Sequence, residues 1–386
     1  MTELPPGFWR SMVGVFATLI VFAVNVAFAL PLYALALDQV GASATEVGVN
    51  SAIQAVGVLL AGVYAPRLFQ RFGAIRTMVT STIANAAIDV AMAFWIDPWV
   101  WLPYRFLGGF TGATVFIIGE AWIVQATPDA IRGRVLAAYG AGVAAAFGVG
   151  PLILPFVGVV GYTPYVVLAG ITLVTLGPMW FARKEAPRPK GRVPPSLAKA
   201  LARAPVAAVA VLFFGVMESA QFTNLPIYAV RSGLDAEAAA FLIAAIGAGG
   251  LVLLAPMGWL ADRMDRKTLL RLAAMGGALC YAALPFAMDN PPLRALLMFL
   301  MGGIAGSLYP ISLALLGERF VGDDLAAATG AIIGMYAIGA LIGPPTLGFL
   351  MDAGGPNALP AALAAAAAAF AILAGGVFLT ARRRDA

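Results

Sequence analysis

Two stretches half a chain apart have nearly the same sequence. Leu30–Ala34 reads Leu-Pro-Leu-Tyr-Ala and Leu225–Ala229 reads Leu-Pro-Ile-Tyr-Ala, in a chain of 386 residues. Such recurrence predicts two related halves, and internal repeats that enclose a central site are typical of secondary transporters. Further landmarks recur at nearly the same spacing: Gly62 with Gly258, Gly108, Gly109 and Gly112 with Gly302, Gly303 and Gly306, and Gly150-Pro151 with Gly343-Pro344.

The composition indicates that the chain is folded in a lipid bilayer. Apolar residues make up 61% of the chain and charged residues 11%, and there is no histidine. A soluble domain averages about 45–50% apolar and about 25% charged residues. Since a helix needs roughly 20 apolar residues to cross a bilayer, the composition predicts an integral membrane protein made of spanning helices.

Apolar segments of that length are separated by short polar, proline or glycine breaks. They predict an all-α polytopic membrane protein with twelve transmembrane helices in two pseudo-symmetric six-helix halves. The predicted spans are 11–36, 46–66, 75–96, 99–125, 134–160 and 162–182 in the first half, and 205–229, 237–261, 269–288, 292–316, 325–350 and 358–380 in the second.

The segment 183–204 is predicted to separate the halves. It contains seven basic residues, one acid and several prolines, so it is too polar to cross the bilayer and is interpreted as a solvated cytoplasmic linker. The predicted organisation is therefore an N-terminal half over 1–182, the linker over 183–204 and a C-terminal half over 205–386.

Basic residues are distributed unequally between the predicted loops. All but three of the 24, the exceptions being Arg105, Arg231 and Arg294, fall on one side if the N-terminus is cytoplasmic. The positive-inside rule then predicts a multi-pass protein of a bacterial-type inner membrane with both termini in the cytoplasm. The net charge of +5 reflects this asymmetry and contact with membrane lipid, so no nucleic-acid partner is expected.

Several motifs resemble those of the major facilitator superfamily. Gly258–Lys267 reads Gly-Trp-Leu-Ala-Asp-Arg-Met-Asp-Arg-Lys, similar to the superfamily's cytoplasmic loop signature, and Arg105–Gly109 resembles the motif of its fourth span. With the six-plus-six plan and the basic linker, the resemblance covers essentially the whole chain. It implies the fold of that family, alternating access between the halves, and a gating role for four loop residues: Gly258, Asp262, Arg263 and Arg266.

Other motifs look like a YcaD-like branch of largely uncharacterised bacterial transporters. They are Glu120-Ala-Trp, the segment Arg132–Tyr139, and Ser307-Leu-Tyr-Pro in span ten. One position departs from the family pattern, because Pro66 stands where an acid is expected in the first-half counterpart of the Gly258 loop. The resemblance implies a class of protein and leaves import and export both open.

Ionisable residues within the predicted spans are the main functional candidates, because each costs at least about 2.5 kcal/mol at mid-bilayer on insertion scales. Asp89 and Arg105 are predicted to lie at similar depth, where they could form a neutral ion pair that is either structural or proton-responsive. Glu120 lies near the cytoplasmic end of span four. An ion pair with Arg132 or Arg134 that closes the inner side is favoured there over substrate contact.

Glu218 lies near the midplane of span seven. Gln221 and Asn224 follow at intervals of three residues, so the three side chains are predicted to face one cavity. No nearby basic residue offers a partner, and Glu218 is therefore predicted to carry proton coupling or substrate recognition. Further uncharged polar groups complete the candidate set: Asn25, Gln54, Asn85, Tyr309 and Tyr336.

The function predicted from these features is secondary active transport of a small organic solute by a monomer, with proton coupling and without a cofactor. A drug or metabolite efflux antiporter is the first alternative. A copper or other metal-ion carrier is the second, with Met298 and Met301 as the nearest ligands, although scattered methionines fit core packing better and no metal site is predicted. An enzyme is disfavoured, since the sequence has no histidine, one isolated cysteine and no phosphate-binding loop motif.

Overall fold

The computed structural model describes residues 6–187, 205–317 and 322–382, and all regular secondary structure within them is helical. Ten helical segments of these residues are long and apolar enough to cross a membrane, which confirms the predicted all-α membrane fold. The predicted spans 75–96 and 358–380 are also helical but fall outside this set. Residues 188–204 of the predicted linker lie outside the described residues.

Contacts between residues divide the chain into two compact units. Unit 1 comprises Met1–Ala42 and Ile53–Arg192. Two short 3-10 helices, Gly150–Ile153 and Arg183–Glu185, supplement its α-helices. The α-helices of this part of the chain are α1 (Phe8–Gln39), α2 (Ala44–Phe72), α3 (Ala74–Met92), α4 (Trp101–Ala126), α5 (Asp129–Val149), α6 (Leu154–Val157), α7 (Thr163–Val174) and α8 (Leu176–Phe181).

Helix α1 is the central element of unit 1, where it contacts α4, α5, α7 and α8. Its side chains Leu19, Phe22 and Phe28 are fully buried in this packing. Span five is interrupted at Gly150-Pro151, because α5 ends at Val149 and a 3-10 helix with Pro151 at its second position follows. Proline lacks the N–H that would continue the α-helical hydrogen bonds.

Unit 2 comprises Ser43–Ala52 and Val193–Ala386. It therefore includes the first residues of α2, which the predicted boundaries place in the first half. Its other helices are α9 (Pro205–Arg231), α10 (Ala236–Ala261), α11 (Arg266–Ala287), α12 (Pro291–Ile304), α13 (Leu308–Gly317), α14 (Gly322–Gly354) and α15 (Ala358–Arg382).

Glycines permit close helix crossings in both units. In unit 1 a Cβ built on Gly109 of α4 would collide with the backbone carbonyl of Gln54 in α2. In unit 2 a Cβ on Gly302 of α12 would collide with the carbonyl of Ile246 in α10. In the sequence repeat Gly109 corresponds to Gly303 and Gly302 to Gly108, so both units build this kind of crossing from the repeated glycine pattern but from different positions within it.

Candidate functional site

Asp89 of α3 is the centre of a buried polar cluster in unit 1. Its side chain is 3% exposed. Tyr33 of α1 donates its hydroxyl hydrogen bond to Asp89 Oδ1 at 2.8 Å, and Thr172 of α7 donates to Oδ2 at 3.2 Å. Asn25 Nδ2 donates to Thr172 Oγ1 at 2.7 Å and to the Leu168 carbonyl at 2.9 Å. The structure thus places Asn25 beside Asp89, in a cluster formed by α1, α3 and α7. The sequence alone does not show how these three helices are oriented toward one another.

The predicted ion pair between Asp89 and Arg105 is not formed among the described residues. Arg105 is 5% exposed, and its Nε atom is buried without a hydrogen-bond partner. Its guanidinium carbon lies 4.8 Å from the centroid of the Tyr33 ring. Tyr33 therefore contacts both charged groups, Asp89 through its hydroxyl and Arg105 through its ring face.

The other uncharged polar candidates in unit 1, Asn85 and Gln54, form contacts outside this cluster. Asn85 Nδ2 donates to the Gly108 carbonyl at 3.2 Å and to Thr111 Oγ1 at 3.0 Å, so it joins α3 to α4. Gln54 contributes a backbone carbonyl to the crossing at Gly109. Its side-chain Oε1 is buried without a partner in the described structure.

Glu120 does not form the predicted ion pair with Arg132 or Arg134 among the described residues. Its partner is Tyr139 of α5, whose hydroxyl donates to Oε1 at 3.0 Å. Arg132 instead donates to the Thr127 carbonyl at 3.1 Å, and Arg134 is exposed. Arg132 and Arg134 lie in α5, and their closeness to Glu120 in the sequence does not produce an ion pair in this part of the structure.

Glu218 lies at the middle of α9 in unit 2. Tyr336 of α14 donates its hydroxyl hydrogen bond to Glu218 Oε2 at 2.6 Å. Phe214, one turn earlier on α9, and Tyr309 of α13 complete a group of aromatic rings with Tyr336. The structure thus brings together three of the predicted residues, and adds Phe214, which has no polar atom by which the sequence could single it out.

The sequence predicts that Gln221 and Asn224 face the same cavity as Glu218, but the structure places them elsewhere. Gln221 is 4% exposed and donates to the Tyr281 hydroxyl of α11 at 3.0 Å. Asn224 is 0% exposed and donates to the Pro344 carbonyl of α14 at 3.2 Å. A helix turns about 100° per residue, so positions three residues apart drift around α9. Gln221 therefore reaches α11, whereas Asn224 reaches α14, the helix that also supplies Tyr336 to Glu218.

The predicted gate residues surround the loop between α10 and α11. Asp262 Oδ1 lies 3.9 Å from Arg266 Nη2, and the Asp262 side chain is 77% exposed. The guanidinium carbon of Arg263 lies 3.9 Å from the Trp259 ring centroid. Arg266 Nη1 donates to the Ala314 carbonyl of α13 at 3.0 Å, so Arg266 attaches this loop to a further helix. Gly258 is exposed, and a Cβ there would meet open space.

Asp265 caps the N-terminus of α11, although it is not among the candidate residues predicted from the sequence. Its Oδ2 accepts hydrogen bonds from the Thr268 N–H and the Thr268 hydroxyl, both at 2.8 Å. Partial burial raises the pKa of Asp265, but these hydrogen bonds and the nearby Lys267 outweigh it and lower the pKa below its usual value. An aspartate before a helical run is a readable N-cap signal.

The start of α2 is held inside unit 2 by Asp352 of α14. Asp352 Oδ1 accepts from the Ala44 N–H at 3.0 Å, and Oδ2 accepts from the Thr45 N–H at 2.8 Å and the Thr45 hydroxyl. Arg231 Nη1 lies 3.2 Å from Asp352 Oδ1. No sequence signal identifies Asp352, because Ala44 and Thr45 are separated from it by most of the chain and Arg231 by 121 residues.

Met298 and Met301, the nearest candidates for metal ligands, are both 0% exposed and pack in the core of unit 2. Buried methionines in this setting fill space between helices.

The sequence of this chain is similar to those of known membrane transporters. A sequence model of the Major Facilitator Superfamily matches residues 14–291 and 251–386. The chain is similar to an uncharacterized MFS-type transporter of Yersinia pestis (strain Pestoides F), with 26% identity over 88% of this chain and 89% of that protein. It is also similar to the MFS-type transporter YfkF of Bacillus subtilis (strain 168), with 23% identity over 84% of each chain.

Two solved structures share the fold. The nucleoside transporter NupG matches with a TM-score of 0.73 and 14% identity, over 97% of this chain and 99% of that one. A bacterial homologue of the human lysosomal transporter Spinster, inward-facing and unoccupied, matches with a TM-score of 0.75 and 16% identity, over 98% and 99% of the two chains. The narrower YcaD-like branch stays a prediction.

Proposed function

The chain belongs to the Major Facilitator Superfamily and is a multi-pass secondary transporter, and we propose that it moves a small organic solute by alternating access coupled to protons. Members of this family are membrane transporters, not enzymes. In the proposed cycle the two halves, 1–182 and 205–386, rock about a central site so that the site opens to one side of the membrane at a time.

The observation that carries this proposal is the environment of Glu218. It is a carboxyl at the middle of a spanning helix, and its hydrogen-bond partner among the described residues is the Tyr336 hydroxyl. Ionised residues at this depth are costly and are usually functional. A carboxyl with no cationic partner can avoid that cost by binding a proton, and it can release the proton when water reaches it.

Asp89 is the second candidate for the proton. It is held by the Tyr33 and Thr172 hydroxyls. Its deeper burial, at 3% exposed, makes it less accessible than the partly exposed Glu218. We therefore assign proton coupling first to Glu218, and to Asp89 if Glu218 is excluded.

The test uses purified protein in proteoliposomes. A thermal-shift screen against a metabolite and drug panel first identifies a stabilising solute, because a ligand that binds only the native state raises its apparent stability. Transport of that solute is then measured with and without an imposed pH difference. Glu218→Gln keeps the shape but fixes the neutral state, so we expect it to retain exchange of the solute and to lose accumulation driven by the pH difference.

Asp89→Asn is the matched control, since it makes the same chemical change in the other unit. If Glu218→Gln still concentrates the solute in response to the pH difference while Asp89→Asn does not, the coupling residue is Asp89. If both variants respond as the unmodified protein does, proton coupling through these carboxyls is excluded.

A further inference from the structure

A carboxyl and three aromatic rings lie together in unit 2. Phe214 precedes Glu218 by one turn of α9, Tyr309 lies near the start of α13, and Tyr336 lies in α14. The ring centroids of Phe214 and Tyr309 are 5.7 Å apart, those of Phe214 and Tyr336 6.0 Å, and those of Tyr309 and Tyr336 6.4 Å. These four residues are called the Glu218 aromatic site below.

We propose that the Glu218 aromatic site binds the ammonium group of an organic cation. This inference rests on the proposed transport function and names the class of solute. Aromatic faces attract a cation when it lies within about 6 Å of the ring centroid, and the three centroids are close enough together for one cation to meet that condition at all three. The Glu218 carboxylate supplies the opposite charge.

The hydrogen bond from Tyr336 orients the carboxylate without neutralising it. Tyr336 donates to Oε2, and among the described residues Oε1 has no hydrogen-bond donor. A hydroxyl partner leaves the negative charge of an ionised Glu218 in place, whereas an arginine or lysine partner would have cancelled it. The free oxygen is therefore the group that an ammonium would contact.

Other classes of solute fit this chemistry less well. An anion would meet the like charge of Glu218 and the negative faces of the rings. A sugar needs a hydrogen-bond partner for each hydroxyl, which ring faces do not supply. A small inorganic cation is bound through several oxygen ligands, and the described residues contain no group of three His, Cys, Asp or Glu side chains that could hold one.

The Glu218 aromatic site is partly exposed, since Phe214 is the one buried residue of its four. Glu218, Tyr309 and Tyr336 are each partly exposed, whereas Gln221 and Asn224 on α9 are buried and bonded to neighbouring helices. Glu218 lies at the middle of the spanning helix α9, and its partial exposure leaves the carboxyl open to a solute.

Two glycines position the rings by bringing α9 against α14. A Cβ on Gly215 would collide with the carbonyl of Tyr336, and a Cβ on Gly339 would collide with the carbonyl of Leu212. This close approach is what allows the Tyr336 hydroxyl to reach Glu218. The site is thus built on helix backbones in contact, which is the rigid support that a binding site needs.

The experiment measures binding by calorimetry with the full-length protein in detergent. The probes are tetramethylammonium, choline and benzyltrimethylammonium, each compared with the neutral isostere in which carbon replaces the quaternary nitrogen. We expect at least one cation to bind about tenfold or more tightly than its isostere. Phe214→Leu and Tyr309→Leu should each weaken that binding by roughly 3- to 30-fold, and Tyr336→Phe, which keeps the ring, should weaken it less than Tyr336→Leu.

The matched control is Phe213→Leu. Phe213 is the neighbouring ring on α9, but it stacks on Phe370 of α15, with centroids 5.8 Å apart and an interplanar angle of 9°. Its replacement should reduce thermal stability without changing cation affinity. Fluorination of Phe214 provides a variant that preserves shape, because fluorine withdraws charge from the ring face, and affinity should then fall with each added fluorine.

Two outcomes would overturn the assignment of an organic cation. One is equal affinity for the cations and their neutral isosteres, including no binding of either. The other is cation affinity that is insensitive to Phe214 and Tyr309. Proton-driven transport of an uncharged solute in protein that binds no cation would leave the proposed function standing, whereas cation binding without transport of any solute would leave the site standing and exclude transport.

Discussion

Asp89 and Glu218 share one chemical feature at the scale of the residue, which is that hydroxyl groups are their donors. Tyr33 and Thr172 hold Asp89, and Tyr336 holds Glu218. A hydroxyl can donate to a carboxylate and can also accept from the protonated acid. Each carboxyl can therefore keep its hydrogen-bonded neighbour in either protonation state, which suits a proton-binding residue better than an ion pair would.

Two neighbouring tyrosines test whether the Tyr33 contact stabilises the fold. Tyr33 and Tyr165 stack with centroids 6.4 Å apart, but only Tyr33 bonds Asp89, whereas the Tyr165 hydroxyl is buried without a partner in the described structure. Tyr33→Phe should reduce the free energy of unfolding by about 1–3 kcal/mol, because it removes a donor from a buried acceptor. Tyr165→Phe should leave stability unchanged or raise it.

Unfolding of both variants in detergent, followed by circular dichroism, measures this difference. Equal losses of stability in the two variants would show that the rings, and not the hydroxyl bond to Asp89, account for the effect of Tyr33→Phe.

At the scale of the element, close crossings depend on which face of a helix a glycine occupies. Gly108 and Gly109 are adjacent on α4, yet a Cβ on Gly109 would collide with the Gln54 carbonyl, whereas one on Gly108 would meet only Ile88 Cγ2 at 3.8 Å. Both glycines belong to the repeated pattern. Only the packed structure distinguishes the one at the contact from the one beside it.

This difference predicts opposite results for two matched substitutions. Gly109→Ala should destabilise the protein by about 1–3 kcal/mol, because the added methyl forces α2 and α4 apart. Gly108→Ala should change stability by less than about 0.5 kcal/mol. The thermal unfolding midpoints of the two purified variants provide the measurement, and similar midpoints would contradict the crossing described here.

The start of α2 combines a local signal with a distant one. Ser43 and Glu46 form a capping box, in which Glu46 Oε2 accepts from the Ser43 N–H at 2.8 Å and the Ser43 hydroxyl accepts from the Glu46 N–H at 3.2 Å. Asp352 then accepts from the next two backbone donors, at Ala44 and Thr45. The first-turn donors that a helix leaves unpaired are thus satisfied from two sources.

Hydrogen exchange should reveal the distant contribution. Asp352→Ala should speed exchange of the Ala44 and Thr45 amides and leave the start of α10 unaffected. Asp235→Ala is the control, because Asp235 caps α10 by accepting from the Ala238 N–H at 2.7 Å, and it should speed exchange only there. Unchanged exchange at Ala44 and Thr45 in Asp352→Ala would contradict the contact.

At the scale of the whole molecule, the sequence repeat and the distribution of basic residues both predict how the chain crosses the membrane. An even number of crossings in each half returns the chain to the side on which it began. The basic residues, all but three of which fall on one side under this arrangement, predict that this side is the cytoplasm.

Reporter fusions test the predicted topology. A reporter after Arg384 and one inserted near Lys190 should both report a cytoplasmic location, and one near Ser232, between α9 and α10, should report the opposite side. The physical reason is the preference of lysine and arginine in short loops for the cytoplasmic face. Opposite locations for the Lys190 and Arg384 reporters would mean an odd number of crossings and would exclude two six-helix halves.

The sequence by itself determined that this protein folds in a lipid bilayer, that it is helical, and which family it resembles. An apolar segment long enough to cross a bilayer forms a helix, because a helix satisfies all the backbone hydrogen bonds within the segment when no water is available. Helix starts such as Ser43 to Glu46 are local and can be read from neighbouring residues. The prediction that Glu218 is functional also follows from sequence, because a charge in an apolar segment is costly wherever its helix packs.

Only the tertiary structure decided which side chains meet. Asp89 is hydrogen-bonded to Tyr33 and Thr172 and forms no ion pair with Arg105, and Gln221 bonds to α11, whereas Glu218 and Asn224 both bond to α14. Hydropathy determines that a segment is a spanning helix but leaves its rotation about its own axis undetermined. That rotation is decided by packing among the helices, through contacts such as Gly215 against Tyr336, and it is what brings the Tyr336 hydroxyl to the carboxyl of Glu218.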